Sequence, residues 1–378
     1  MPDVLIYADT VRSPSMRHEV PILVPDPFLY VERDGARHTV STSFEVDRIA
    51  AIPGGPQAHP SEEYGFDDLI AQGLAREEVD LGVVVNACQA LGVEKAVAPP
   101  TFPIAVAERL WQSGIQVTSD RETFAARRRV KNEAELAGIR RAQRAAEAGM
   151  DAARDLLRRA EPDGSGLVID GEPLTAERLK DAINGAFVAH RVVAEDFIVA
   201  PGAQGAVGHD LGSGPIAAGQ SVVIDLWPKD PETACYADMT RTYVVGELPE
   251  ELAEYHRHVK AALDRALETT RAGIPAMEPF RAVCDLFQEA GYPTQLSKGP
   301  GEVLTSGFFH GLGHGVGLEV HEPPWLGRAP GDMVAGDVVT LEPGLYRQGF
   351  GGVRLEDLVL VTESGAENLT DYPYELKP

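Results

Sequence analysis

Four acidic residues stand inside apolar, strand-forming segments, and this pattern restricts the fold more than any other feature. The four segments are residues 221–227 (SVVIDLW), 235–245 (CYADMTRTYVV), 338–346 (VVTLEPGLY) and 353–362 (VRLEDLVLVT). Their acids are Asp225, Asp238, Glu342 and Glu356. Turn-rich PKDPET joins the first two segments and RQGFGG joins the last two. The sequence therefore predicts two hairpins with matching acidic pairs in a pseudo-symmetric domain.

A carboxylate in the middle of an apolar strand needs a compensating partner. Burying one unpaired ion costs on the order of several kcal/mol, even after the protein relaxes around it. Any single one of these acids could face solvent, or pair with a neighbouring arginine such as Arg241 or Arg354. Four at matching positions, accompanied by a histidine cluster, favour a metal site instead.

The histidine cluster lies in the segment FFHGLGHGVGLEVHE, which holds His310, His314 and His321. Glycines stand at positions 311, 313, 315 and 317. Each glycine costs a helix about 1 kcal/mol relative to alanine, so a helix is disfavoured. We predict an extended or looped segment whose backbone closely approaches another group.

Four carboxylates and one imidazole suit Mn, Co, Fe or Zn. Two divalent cations would balance four carboxylates, whereas one would leave excess negative charge. Two metals about 3.5–4 Å apart can share bridging carboxylates and a bridging hydroxide, which is a nucleophile near neutral pH. The donor set therefore predicts a dinuclear centre.

Charge and cysteine content exclude several classes of protein. The chain has 34 Lys and Arg against 58 Asp and Glu, a net charge of −24, which argues against nucleic acid or an anionic membrane as a partner. Its three cysteines form no CxxC pair, which excludes a disulfide scaffold and a thiolate zinc site. Without a signal-like N-terminus or an 18-residue apolar run, the sequence predicts a cytoplasmic protein.

The organisation of the chain predicts an α+β fold with two domains. Strands and helices alternate over the first third, with a hairpin turn at Asp34-Gly35, which indicates a small α/β domain. Residues 121–160 are rich in Ala, Arg, Glu and Leu and predict one long amphipathic helix. We place the boundary near its start, giving domains 1–126 and 127–378.

The motifs together resemble the pita-bread (M24) metallopeptidases over residues 127–374. They are D-x12-D-M-T-R-T, H-G-L-G-H-G-V-G-L-E-V-H-E, L-E-P-G-L-Y and V-R-L-E-D. The resemblance is strongest to the branch of Xaa-Pro aminopeptidase and Xaa-Pro dipeptidase (prolidase). It implies a C-terminal pita-bread fold with pseudo-two-fold α/β halves, preceded by a smaller creatinase-like domain.

The resemblance also implies roles for individual residues. Asp225 would chelate one metal and Asp238 and Glu356 would bridge both, while His314 and Glu342 would ligate the second. The residues implied in catalysis are His209, His310, His321, Glu342 and Arg354. Glu342 would orient or deprotonate water, His209 would bind substrate or shuttle protons, and His310 and His321 would contact the scissile carbonyl and oxyanion. Arg354 would hold its neighbouring carboxylates, and Thr240 would donate to a metal carboxylate.

Two departures from the family pattern concern substrate choice. The usual Asp-x-Gly reads Asp225-Leu226-Trp227-Pro228, and the aspartates are two residues further apart than is common. The insertion falls in the PKDPET turn, where extra residues are tolerated. Trp227 is expected to narrow one wall of the site.

The implied reaction is hydrolysis of the bond before proline, in peptides or in dipeptides. Mn²⁺ is the first expectation by family habit, with Co, Zn and Fe also suitable, and a homodimer is implied by relatives. Methionine aminopeptidase shares the ligands but usually lacks an N-terminal α/β domain. A metal-free creatinase-like hydrolase and an inactive binding protein, both of which lack the full ligand set in the relatives, stay open as alternatives.

Overall fold

The computed structural model describes residues 2–164 and 166–378. It divides into two compact units, residues 1–128 and 129–378. No helix in the described ranges has the length and apolar character needed to cross a membrane.

The N-terminal unit is an α/β domain built on one six-stranded mixed sheet, with strand order β4-β3-β2-β1-β5-β6. The predicted hairpin joins β2 to β3, and its turn places Asp34 and Gly35 at positive φ, as a two-residue hairpin turn requires. The strands are β1 Asp3–Ala8, β2 Phe28–Arg33, β3 Ala36–Ser41, β4 Gln57–Pro60, β5 Lys95–Ala98 and β6 Gln116–Ser119. The helices are α1 Pro14–Glu19, α2 Ser43–Ala50, α3 Phe66–Ala71, α4 Arg76–Ala90, α5 Ile104–Gln112 and α6 Arg121–Arg129, with a 3-10 turn at Ser61–Tyr64.

The C-terminal unit carries four long helices and short antiparallel strands. The helices are α7 Glu133–Arg159, α8 Ala176–Ala189, α9 Glu250–Thr269 and α10 Met277–Glu289. The strands of its first half are β7 Glu161–Asp163, β8 Gly166–Ile169, β9 Glu172–Pro173, β10 Ile198–Pro201, β11 Ser221–Leu226 and β12 Met239–Val244, with a 3-10 turn at Gly202–Ala206. The strands of its second half are β13 Ser306–Gly307, β14 Gly313–Gly315, β15 Glu322–Leu326, β16 Val338–Leu341, β17 Gly344–Arg347, β18 Gly351–Arg354, β19 Asp357–Val361 and β20 Ala366–Asn368.

The single helix predicted over residues 121–160 is wrong, because the segment is divided into α6 and α7. Asn132 starts α7 with a capping box, in which its side chain accepts from the Glu135 amide and the Glu135 carboxylate accepts from the Asn132 amide. Such a box satisfies backbone amides at the start of a helix, so it favours a new helix beginning at this point. The alanine and arginine content of the segment does not reveal this break.

The first half packs α7 and α8 against the sheet β10-β11-β12. Strands β11 and β12 form the predicted first hairpin, with Asp225 opposite Thr240. Asp238 immediately precedes β12 rather than lying within it, which corrects its predicted mid-strand position.

The second hairpin differs from the prediction because each of its strands is interrupted. β16 pairs with β19 in a five-stranded sheet, whereas β17 pairs with β18 in a separate three-stranded sheet. Glu342 and Glu356 lie in the gaps. The Glu342 amide donates to the Leu312 carbonyl (2.8 Å) and the Glu356 amide donates to the Thr240 carbonyl (3.1 Å), so both leave the hairpin ladder. Helices α9 and α10 cover these strands with a second core.

The glycine-rich histidine segment is extended, as predicted. Gly313 and Gly315 bound β14, which pairs with β15 and β16. A Cβ atom on Gly313 would lie 2.0 Å from the Thr340 carbonyl oxygen, and one on Gly315 would lie 2.4 Å from that of Pro323. Only glycine permits this approach of three backbones, which places His314 on an inner strand of the sheet, between β15 and β16.

Candidate metal centre

All nine predicted site residues line one cavity of about 520 Å³ in the C-terminal unit. They are His209, Asp225, Asp238, His310, His314, His321, Glu342, Arg354 and Glu356. They come from both hairpins, the β14 segment and the loop before β11. The fold therefore brings together residues that span almost 150 positions of sequence.

Three of the predicted ligands form a compact set of donor atoms. One atom each from Asp238, His314 and Glu356 lie within 4.8 Å of one another, and all three side chains are buried. His314 Nε2 is 3.8 Å from Asp238 Oδ2 and 3.6 Å from Glu342 Oε1. These separations are too long for direct hydrogen bonds. They leave room for a cation between the groups.

Asp225 lines the same cavity, and only one of its two carboxylate oxygens is paired with a cation. Its Oδ2 accepts from Arg354 Nη2 at 2.5 Å. Its Oδ1 is buried and has no hydrogen-bond partner among the described residues. A buried carboxylate oxygen without a donor is costly, and coordination of a cation would satisfy it.

The aspartate and glutamate halves are connected by Thr240 on β12. Its hydroxyl donates to Glu356 Oε2 (2.6 Å) and accepts from Arg354 Nε (3.0 Å). Two residues further along the same face, the Thr242 hydroxyl donates to the Arg354 carbonyl (3.0 Å) and accepts from the Arg354 amide (3.1 Å). Thr240 thus orients a carboxylate, while Thr242 holds backbone only.

Arg241 takes the other face of β12 and does not pair with any of the four acids. It donates to an oxygen of Asp357 at 2.9 Å and to the Glu356 carbonyl at 2.7 Å. It therefore fixes the chain next to Glu356, and the arginine that pairs with a site acid is Arg354.

Burial and mutual repulsion raise the pKa of three of the carboxyl groups. The pKa values of Asp238 and Glu356 lie well above the ordinary range, first because of burial and then because of neighbouring carboxylates. Burial, together with Asp225, raises the pKa of Glu342 to about 8, against the opposing charge of Arg354. Divalent cations would relieve both causes by replacing these protons.

The histidine nearest to the acids is held neutral. Burial, with His321 next, lowers the pKa of His314 to about 3, so its Nε2 lone pair is available at neutral pH. Its Nδ1 lies 3.1 Å from the Gly315 carbonyl, which leaves Nε2 as the atom that faces Asp238 and Glu342. Neutral imidazole with the other nitrogen bonded to a carbonyl is the usual state of a metal-ligating histidine.

His310 has protein partners at both ring nitrogens. Its Nδ1 lies 2.7 Å from the Gly311 carbonyl and its Nε2 lies 2.9 Å from the Tyr346 hydroxyl. Since a carbonyl only accepts, Nδ1 carries the proton and Nε2 accepts from Tyr346. Tyr346 is not among the residues predicted from the sequence. Its place four residues after Glu342, with even spacing as on one face of a strand, was the available signal.

His321 and His209 lie at the exposed side of the cavity. The His321 ring centroid is 4.2 Å from that of His314, and burial lowers the pKa of His321 as well. No protein hydrogen bond to the His321 ring occurs within the two described ranges. Of the three predicted catalytic histidines, His321 and His209 are the ones whose rings are open to a bound molecule.

A buried ion pair holds the loop that carries His321. Lys131 Nζ donates to Glu322 Oε1, and the two side chains are 3% and 2% exposed. Gly317 lies against them, and a Cβ atom there would be 2.6 Å from Glu322 Oε1 and 2.9 Å from Lys131 Nζ. The pair therefore joins the residue just before α7 to the residue just after His321. Sequence patterns do not reveal this pair, because 191 positions separate the partners.

The donor set fits divalent cations. Four carboxylates and a neutral imidazole converge, a single arginine offsets one charge, and one buried carboxylate oxygen lacks a donor. Oxygen ligands with one nitrogen suit Mn, Co, Fe or Zn. Such a centre can polarise a carbonyl group and activate water.

Comparison with known proteins agrees with this chemistry. A family model described as metallopeptidase family M24 matches residues 137–363. The chain is similar to a Xaa-Pro dipeptidase of Pyrococcus furiosus, at 39% identity over 187 residues, which cover 48% of this chain and 49% of that protein. It is also similar to a probable dipeptidase PepE of Mycobacterium tuberculosis, at 34% identity over 200 residues and 50% of each chain. The chain spans about half the length of the curated relatives it matches.

Solved structures show the fold. The prolidase of Pyrococcus horikoshii matches with a TM-score of 0.75 and 24% identity, covering 100% of this chain and 95% of that one. The X-Pro aminopeptidase of Thermotoga maritima matches with a TM-score of 0.78 and 20% identity, covering 100% and 97%. The predicted pita-bread architecture with a smaller N-terminal domain is thereby confirmed. The chain belongs to metallopeptidase family M24.

Proposed function

We propose that this chain is a dinuclear metal-dependent exopeptidase that hydrolyses the bond between an N-terminal residue and a following proline. The observation that carries the proposal is the convergence of all nine predicted residues on one cavity, with a buried Asp225 oxygen that lacks a donor among the described residues. The names of the relatives support the proline preference.

The five proposed ligands would hold two divalent cations, with Mn²⁺ the first candidate. Asp225 would bind one cation, His314 and Glu342 the other, and Asp238 and Glu356 both. When bound, the cations supply a Lewis acid for the substrate carbonyl and lower the pKa of water to about 7.

The protein's own groups would position the substrate and move its protons. Glu342 orients the attacking water and accepts its proton, a role that needs an ionised carboxylate, which bound cations would favour over the protonated form. His321, whose ring is exposed at the cavity, donates a hydrogen bond to the oxygen that becomes negative. His310 reaches that oxygen only by releasing Gly311 or Tyr346, so in this arrangement it positions the Tyr346 hydroxyl instead.

The proton balance closes on the proline nitrogen. The tertiary amide before proline has no N–H, and its nitrogen needs a proton when the C–N bond breaks. Glu342 returns the proton taken from water to that nitrogen, so the net change is the addition of one water across the bond. His209, exposed at the same cavity, is placed to exchange protons with solvent.

Further parts of the proposal concern organisation. Residues 1–126 would form the creatinase-like domain and 127–378 the catalytic domain, in a cytoplasmic homodimer. These assignments are supported by the resemblance to relatives and are open to direct measurement of mass in solution and of location in the cell.

The experiment combines metal analysis with substrate choice. Protein stripped by chelation is reconstituted with Mn²⁺, Co²⁺, Zn²⁺ or Fe²⁺, and bound metal is counted by mass spectrometry while Ala-Pro, Ala-Pro-Ala and Met-Ala are assayed. We expect two cations per chain and cleavage only before proline. Full activity in the chelated protein, or faster cleavage of Met-Ala, would contradict the proposal.

A further inference from the structure

The lining of the cavity separates into two classes of residue. Every polar side chain on it belongs to the nine predicted site residues, and every other residue is apolar or glycine. The apolar side chains are Ile198, Trp227, Phe309, Val320 and Trp325. Parts of the substrate that do not react therefore meet an apolar surface.

Arg354 is the one permanently cationic side chain on the described lining, and its nitrogens are already used. Nη2 donates to Asp225 (2.5 Å), Nε donates to Thr240 (3.0 Å) and Nη1 lies 3.4 Å from the Tyr346 hydroxyl. It is 7% exposed. Its guanidinium is thus committed to protein groups and offers no free face to a substrate carboxylate.

Trp227 precedes a turn that is fixed by backbone and side-chain hydrogen bonds. After Trp227, the Lys229 amide and carbonyl exchange hydrogen bonds with those of Val193 (2.7 and 3.0 Å). Asp230 then accepts from Arg141 at 2.9 Å and from the Thr233 amide at 2.9 Å. The inserted turn is therefore anchored to α7, and Trp227 forms a fixed wall.

Trp325 forms a second wall at the rim. It lies opposite His314 in the β14–β15 pair, with its ring centroid 6.5 Å from that of His314, and it is 46% exposed. An indole at this position offers apolar contact and a π face next to the reacting groups.

A free Xaa-Pro dipeptide must bring a carboxylate close to these walls. Its carboxyl group belongs to the residue directly after the scissile bond, and successive Cα atoms lie about 3.8 Å apart. The charge would therefore lie beside the apolar lining, where no permanent cation of the described residues is free to offset it, and burying a charge without a cationic partner is costly.

Resting on the proposed function, we infer that this site selects peptides in which the carboxyl group of the proline forms an amide bond and is therefore uncharged. The substrates would be tripeptides or longer chains, with apolar residues beside the scissile bond, and free Xaa-Pro dipeptides would be poor substrates. Trp227 and Trp325 are the specificity-determining residues. In this respect the chain would differ from relatives named as dipeptidases.

The test compares substrates that differ in one charge. Metal-loaded full-length protein is assayed with Ala-Pro, Ala-Pro-amide and Ala-Pro-Ala, and kcat and KM are measured separately. We expect kcat/KM for the amide and the tripeptide to exceed that for Ala-Pro by at least about tenfold, mainly through KM, because one unpaired charge is desolvated.

A variant isolates the charge from the chemistry of the leaving group. Trp325→Arg adds a cation at the rim and should raise the ratio of kcat/KM for Ala-Pro to that for the amide by at least about fivefold, since charged partners strengthen hydrogen bonds. Trp325→Leu separates the lost indole from the gained charge. Val303→Arg is the matched control, because Val303 is 81% exposed and does not line the cavity. Val303→Arg should leave kcat/KM unchanged for both Ala-Pro and the amide.

The outcomes distinguish the two levels of the proposal. Equal or faster cleavage of Ala-Pro by the unmodified protein overturns the inference and leaves the proposed function standing. Cleavage of none of the three substrates by metal-loaded protein overturns both. If Trp325→Arg does not fold, the comparison of substrates with the unmodified protein decides by itself.

Discussion

The aspartates and the glutamates of the cavity are held by different kinds of backbone. Asp225 lies within β11, in a continuous ladder opposite Thr240, and Asp238 directly precedes β12 of the same hairpin. Glu342 and Glu356 lie in gaps between strands, and their amides bond to Leu312 and Thr240, outside their own hairpin. The aspartate side is thus one hairpin, whereas the glutamate side is a junction of sheets. Carboxylates that line one cavity can thus be positioned either by a continuous strand pair or by a break between two strands.

If Asp238 and Glu356 both bind both cations, removing the charge of either one should lower kcat/KM by the same large factor. Asp238→Asn and Glu356→Gln should each lower kcat/KM by about a thousandfold, which corresponds to the several kcal/mol that a metal centre contributes to transition-state stabilisation. Bound metal should fall in parallel. Steady-state kinetics and metal analysis measure both.

The control is Glu363→Gln, an exposed acid in the turn after β19. It should leave metal content and kcat/KM unchanged. A silent Asp238→Asn with two bound cations would show that the two halves are not equivalent and would break the comparison.

Removing the Thr240 hydroxyl, which connects the two halves, should lower metal affinity and activity by a smaller factor. Thr240→Val removes one hydrogen bond to the Glu356 carboxylate and one from Arg354. Loss of a partner that orients a metal ligand typically costs about 10–100-fold in metal affinity or activity. Isothermal titration with Mn²⁺ and kcat/KM for Ala-Pro-Ala would measure it.

Thr242→Val is a matched variant for that experiment. Thr242 is equally buried on the same strand but bonds only to the Arg354 backbone. It should lower the free energy of unfolding, by about 1–3 kcal/mol, while metal affinity stays close to that of the unmodified protein. Similar losses of affinity in both variants would assign the effect to general packing.

The smallest expected effect is the pH dependence of stability in the metal-free protein. Burial raises the pKa of Glu342 from 4.5 to about 8, so between these values the folded state keeps a proton that the unfolded chain releases. Stability therefore falls as the pH rises through this window. His310 and His314, with pKa values lowered from 6.5 to about 3, give the opposite slope below pH 6.5.

The range between pH 6.5 and 8 separates the buried carboxyl groups from the histidines, and Glu342 shares this direction with Asp238 and Glu356, whose pKa values are also raised. The thermal midpoint of chelated protein should decrease across it, and Glu342→Gln should reduce that slope. Metal-loaded protein should show a weaker dependence, because cations replace the proton. A midpoint that rises from pH 6.5 to 8 in the chelated protein would contradict the raised pKa.

Local patterns predicted most of the elements and the members of the cavity. Acids in apolar strands and glycines at alternate positions have direct physical costs, so they point to particular backbone arrangements. The gaps at Glu342 and Glu356 could not be predicted, because the amides there bond to segments remote in sequence. The break before α7 depends on one capping box, and the partners of Tyr346 and Lys131 depend on tertiary approach.

The ion pair between Lys131 and Glu322 determines how the catalytic portion can be excised. A fragment that begins at Asn132 would retain all five proposed ligands and the cap of α7, yet it would leave the Glu322 carboxylate buried without its ammonium partner. The strain would fall on the neighbouring His321 loop. A fragment that keeps this ion pair must therefore start at Lys131 or before it.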